Sequence, residues 1–174
     1  MGDSPATTAA VISAAAAVLA LLVSGWSVVQ ARATRRVEAH RAVHELYDRM
    51  VSLKFGHPEF LICAQEWDPG KMRNVYDDTL PNHQMWAEYY TFVELCIGFA
   101  NAVLQARNLN LMDKGVYQKQ WERLVRLVLT EHYPIVGAFV SEGPYVSQYV
   151  CKYVSVKQSE GWDWAGQHRQ LPWP

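Results

Sequence analysis

Between Ser4 and Gln30 the chain carries no charged side chain. Inside that interval lies "AAVISAAAAVLALLVSGWSVV", 21 residues long. At about 1.5 Å of rise per residue, a helix of this length crosses the roughly 30 Å hydrocarbon layer of a bilayer. The run is rich in alanine, and Val, Ile, Leu and Trp26 strengthen its preference for lipid. Trp26 lies near one end, where an indole favours the membrane interface.

A cleaved signal peptide is the competing reading, because "ARA" at 31–33 has the small-x-small pattern of a cleavage site. Against it, "MGDSPATT" contains Asp3 and no Lys or Arg, and the apolar run exceeds a usual signal core. A retained anchor is therefore expected. Arg32, Arg35, Arg36 and Arg41 come directly after the span, and no basic residue precedes it. The positive-inside rule then places the C-terminal domain in the cytoplasm and residues 1–8 outside, at the inner (plasma) membrane. Ala16, Ala20 and Ser24 repeat every fourth residue, a spacing that lets two such helices approach closely and form a homo-oligomer.

The residues beyond the anchor, roughly 140, suit one compact domain. Half of the whole chain is hydrophobic and seven residues are Trp, enough for a packed core. The net charge of −1 provides no basic field for nucleic acid, and no recognition motif for it is present. Cys63, Cys96 and Cys151 are widely separated and odd in number, which disfavours both a disulfide framework and a structural zinc site. Reduced thiols in a cytosolic domain are expected.

Apolar periodicity points to an all-α chain. No Pro or Gly occurs between Arg32 and Phe55, and Val43, Leu46, Tyr47, Met50 and Val51 share one face. The anchor is thus expected to continue as a stalk over 31–56 and to end at Gly56, with Pro58 in the first turn of the next helix. "WDPGKMRNVYDDTLPNH" at 67–83 is the most loop-like stretch. A long helix is expected from Gln84 to Arg107, then another after Asp113, a suitable N-cap. In the latter, Tyr117, Trp121, Leu124, Val125 and Val128 form a stripe, and Pro134 interrupts the helix or opens a short one. Residues 145–156 suit either a helix, from the four-residue spacing of Tyr145, Tyr149 and Tyr153, or a strand, from their β-branched content; helix is preferred. The expected layout is an outer tail at 1–8, an anchor at 9–30, a stalk at 31–56, an antiparallel helical bundle at 57–158 and an irregular Trp- and Pro-rich tail at 159–174.

Candidate chemistry is sparse. His40, His44 and Asp48 fall at helical spacing, but Arg41 stands where a His-Glu-x-x-His metalloprotease motif has its Glu, and the three lie along the boundary of the apolar face. Glu66 with Asp68, and Asp77 with Asp78, read as solvated turn residues. No metal or cofactor is expected. "FVELCIGFAN" at 92–101 is more informative. At ~100° per residue, Glu94, Gly98, Asn101 and Gln105 fall in a stripe about 60° wide on an otherwise apolar helix. A buried carboxylate needs solvent or a partner. His132, facing the core from its own helix, is one that sequence spacing offers. A Glu94–His132 pair with Asn101 and Gln105 nearby would make either a polar pocket with acid/base potential or a register-fixing hydrogen bond. Trp162 and Trp164 in the tail either dock on the bundle or present a binding surface.

The anchor, the basic helix after it, "HPEF", "WAEYYTFVELCIGFANAVL" and "YQKQWERLVRLVLTEHYPIV" together resemble uncharacterised bacterial families of small single-pass proteins with a helical cytoplasmic domain. The resemblance implies a bacterial source and the same layout, and it transfers no activity or site residue. The expected function is a membrane-anchored interaction module, an adaptor, sensor or complex subunit, with the lipid bilayer and a protein partner or a second copy as its contacts. A tethered enzyme using Glu94 and His132, or an oligomerising membrane effector of a bacterial conflict system, is the alternative.

Overall fold

The computed structural model describes residues 5–66, 82–142 and 147–170, with side chains from residue 13 onward and excepting 142. The described chain is all-helical and contains no strand. Its residues divide into two compact units, Met1–Glu38 and Ala39–Pro174.

Helix α1 runs from Pro5 to Gly56. Proline suits a first helical position, where a missing N–H removes no intrahelical bond. From Ser13 to Val29, α1 is uncharged and exposed around its whole circumference, with Leu19, Leu21, Leu22, Val23, Trp26, Val28 and Val29 all open. It is long and apolar enough to cross a membrane. Ser27 and Thr34 donate their hydroxyls to the carbonyls of Val23 and Gln30, one turn back, so these side chains are satisfied within the helix.

In the second unit, Val43 and Met50 of α1 are buried and Leu46, Tyr47 and Val51 half-buried, as the stalk periodicity predicts. After Gly56, α2 spans Glu59–Glu66 and α3 spans His83–Asn108. Helix α3 is the core element, with Tyr89, Phe92, Val93, Cys96, Phe99, Ala100 and Val103 buried. The short α4, Lys114–Val116, is capped by the Asp113 carboxylate, which accepts from the Gly115 and Val116 amides. One π turn, Tyr117–Trp121, leads into α5, Glu122–Glu131. Tyr117, Trp121, Val125 and Val128 are buried, so the stripe read from sequence is the one that packs. Helix α3 contacts α2, the π turn, α5, α6 (Tyr133–Glu142) and α7 (Gln148–Ser159). Of the stretch 145–156, residues 148–156 lie in α7 and so take the helix alternative, while 145 and 146 lie outside the described residues. Cys63 and Cys96 are buried free thiols.

Pro134 explains the break between α5 and α6. Lacking an N–H, it cannot bond to the carbonyl of Thr130, four residues earlier. That carbonyl accepts instead from His168 Nδ1 at 3.0 Å. His168 belongs to α8, Trp164–Arg169, so part of the tail expected to be irregular is a helix. Asp163 caps it through the Gly166 amide at 2.9 Å. Trp164 is buried, stacks on Tyr133 with centroids 5.9 Å apart, and donates its Nε1–H to the Val154 carbonyl at 3.2 Å.

Candidate functional site

Three helices of the second unit each carry a stripe at i, i+3, i+4, i+7 that ends on a polar or sulfur-bearing side chain. On α1 it is Tyr47, Met50, Val51 and Lys54; on α3, Tyr89, Phe92, Val93 and Cys96; on α5, Leu124, Leu127, Val128 and Glu131. Most of these residues, together with Phe55 and His132, line one cavity of about 270 Å³. Its walls are largely hydrocarbon, and its polar side chains are Tyr47, Lys54, Glu131 and His132.

Lys54 Nζ lies 2.5 Å from Glu131 Oε1, joining the last turn of α1 to the last residue of α5. The Glu131 side chain is 9% exposed and that of Lys54 39%, so the lysine reaches the pair from the wet side. A carboxylate at a helix C-terminus meets the negative end of the helix dipole, which makes a cation beside it important.

His132 is the C-cap of α5. Its Nδ1 is 2.9 Å from the Tyr89 hydroxyl, and its ring meets Tyr89 and Phe92 edge-on. Burial lowers the His132 pKa to about 3, and the electrostatic influence of Lys54 and His168 acts in the same direction. The imidazole is therefore neutral at pH 7. Burial raises the Cys96 thiol well above its ordinary value, with the Glu131 charge adding to the effect, so it stays protonated. A neutral imidazole with so low a proton affinity and an un-ionised thiol suit hydrogen bonding to a guest better than proton transfer or nucleophilic attack.

The residues singled out from sequence disperse. Glu94 is exposed and makes no hydrogen bond or ion pair to the described residues. The expected partner of Glu94, His132, is bound instead to Tyr89, and the carboxylate beside the cavity is Glu131. Gln105 is exposed; Asn101 is half-buried, with its Oδ1 buried and unpartnered among the described residues. Trp162 is half-buried beneath the Arg126 guanidinium, 4.7 Å from its ring, and Trp164 is in the core. Both tail tryptophans thus take the docked alternative. His44 is exposed, its ring edge-on to Trp121 at 5.0 Å. His40 is half-buried and Asp48 exposed; no group of three potential ligands is placed to hold a metal among the described residues. Glu66 is exposed, while Asp68, Asp77 and Asp78 lie outside the described residues.

Sequence reasoning missed Lys54, Tyr89 and Cys96. The signal was present, since each continues an apolar stripe. What it lacked was a reason to bring the three stripes together. No known protein family, curated protein or solved structure matches this chain.

Proposed function

We propose that this protein is a membrane-anchored interaction module whose second unit is an antiparallel helical bundle facing the cytoplasm. The carrying observation is the apolar part of α1, exposed on every side, with arginines at 32, 35, 36 and 41 directly after it. An exposed apolar surface of this length is unfavourable in water and favourable in lipid. The hydroxyl of Ser27 bonds to its own helix, as a polar group in hydrocarbon requires. The arginine asymmetry supports the cytoplasmic placement. The bundle reading rests on the long central α3 and its contacts with four other helices.

The interaction role draws support from exposed Phe55, Ile62, Leu109, Leu127 and Val156 on the second unit. Expression of the full chain with a C-terminal reporter tests the anchoring. The chain is expected to stay in the membrane pellet after alkaline carbonate washing, with the reporter inaccessible from outside the cell. Release by carbonate, or an external reporter, would sink the anchor or its orientation respectively. Crosslinking in intact membranes tests the interaction role; only monomeric, partner-free chain would count against it.

A further inference from the structure

The cavity between α1, α3 and α5 has the features of a small-molecule site. Its volume of about 270 Å³ compares with an apolar cavity of about 150 Å³ that holds benzene, so it suits a guest of on the order of ten non-hydrogen atoms. Met50, Phe92, Leu124 and Val128 provide apolar walls. The charges in it are already balanced, because Lys54 neutralises Glu131 and the imidazole is uncharged. An ionised guest would lose its hydration with no free counter-charge to meet. Beside the half-buried Tyr47 and the Cys96 thiol, a weak donor, the lining holds one buried, uncharged ring able to recognise a head group. His132 is 2% exposed; its Nδ1 is engaged by Tyr89, and its Nε2 makes no hydrogen bond to the described residues.

We propose that this cavity binds a small neutral amphiphile, an alcohol or phenol of about ten non-hydrogen atoms, whose hydroxyl hydrogen-bonds His132 Nε2 while its hydrocarbon body packs on Met50, Phe92, Leu124 and Val128. A hydroxyl both donates and accepts, so it matches Nε2 in either tautomer of the ring. This goes beyond the anchoring role and does not depend on it.

The test uses the full chain in phosphatidylcholine nanodiscs, with empty discs as reference and 4-propylphenol, neutral at pH 7, as probe. Calorimetry is expected to show saturable binding of one probe per chain above the empty-disc background. The His132 ring 15Nε2 resonance should shift in step with that binding. The charged analogues 4-propylbenzoate and 4-propylbenzylammonium are expected to bind at least ten-fold more weakly. Leu124→Trp, which fills the cavity from a half-buried position, should lose binding at least ten-fold while keeping its circular dichroism. No saturable binding, an unmoved His132 resonance at saturation, equal binding of either charged analogue, or undiminished binding to a folded Leu124→Trp protein would each overturn the proposal. The wild-type arms decide the matter even if the variant does not fold.

Discussion

Tyr89 and His132, on α3 and at the end of α5, share a buried 2.9 Å hydrogen bond across the core. Tyr89→Phe keeps the ring and removes the hydroxyl, leaving the imidazole Nδ1 buried without this partner. The expected loss is about 1–3 kcal/mol of stability, read as a lower denaturant midpoint by tryptophan fluorescence. A midpoint equal to that of the wild type would mean that the bond contributes nothing net.

The neutral state of His132 makes stability depend on pH. Its pKa is about 3 in the folded protein and about 6.5 when unfolded. Between these values the unfolded chain holds a proton that the folded chain does not. Stability is therefore full above about pH 6.5 and falls as pH drops toward 3, by about 1.4 kcal/mol per pH unit from this group. Denaturation series at pH 7, 6, 5 and 4 should show the fall, and His132→Phe should flatten it. An equally steep fall in that variant would place the acid sensitivity elsewhere.

Lys54→Met strands the Glu131 carboxylate in a largely apolar wall. Breaking a fully buried pair costs about 3–5 kcal/mol, and the partial exposure of Lys54 reduces this to about 1–3 kcal/mol. The double variant Lys54→Met with Glu131→Met removes both charges and is expected to recover most of the loss. Additive losses in a double-mutant cycle would show that the two side chains are not energetically coupled.

Asn101→Leu is expected to stabilise the protein. The wild-type side chain buries an oxygen with no partner among the described residues, and leaving such a group unsatisfied costs about 1–3 kcal/mol. Leucine of similar size removes that cost and adds apolar burial. A rise of about 1 kcal/mol is expected; a fall would show that the amide has a partner, such as a bound water, that the leucine displaces.

Trp164 and Trp162 should differ sharply. Trp164 is 2% exposed, and replacing it by Ala is expected to cost about 3–5 kcal/mol through the cavity left behind. Trp162 makes a cation–π contact with Arg126 near the surface, worth about 0.5–1 kcal/mol at such a site, so Trp162→Ala should cost much less. Equal effects in thermal unfolding would contradict the docked position of α8.

Much of the secondary structure is legible in the sequence because its causes are local. The Gly56 stop, the Asp113 cap and the buried face of Tyr117, Trp121, Val125 and Val128 arise from interactions within a turn or two of helix. The tail is different. Its helix starts from the Asp163 cap, a local signal, but its position depends on Trp164 meeting Tyr133 and on His168 reaching the Thr130 carbonyl, and both partners lie far back in the chain. Pro134 announces a break, but no local pattern indicates which group will use the carbonyl it frees.

By itself the sequence determined most of the helical character, the long uncharged segment of α1 and the buried faces of the stalk and of α5, because charge content and a 3.6-residue period are properties of a contiguous stretch. Only the tertiary structure decided which polar groups meet. Lys54 pairs with Glu131 across 77 positions, and Tyr89 with His132 across 43. Periodicity assigns a side chain to a face but not to a height along a neighbouring helix. On that missing coordinate, the cavity carboxylate proved to be Glu131, and Glu94 went to water.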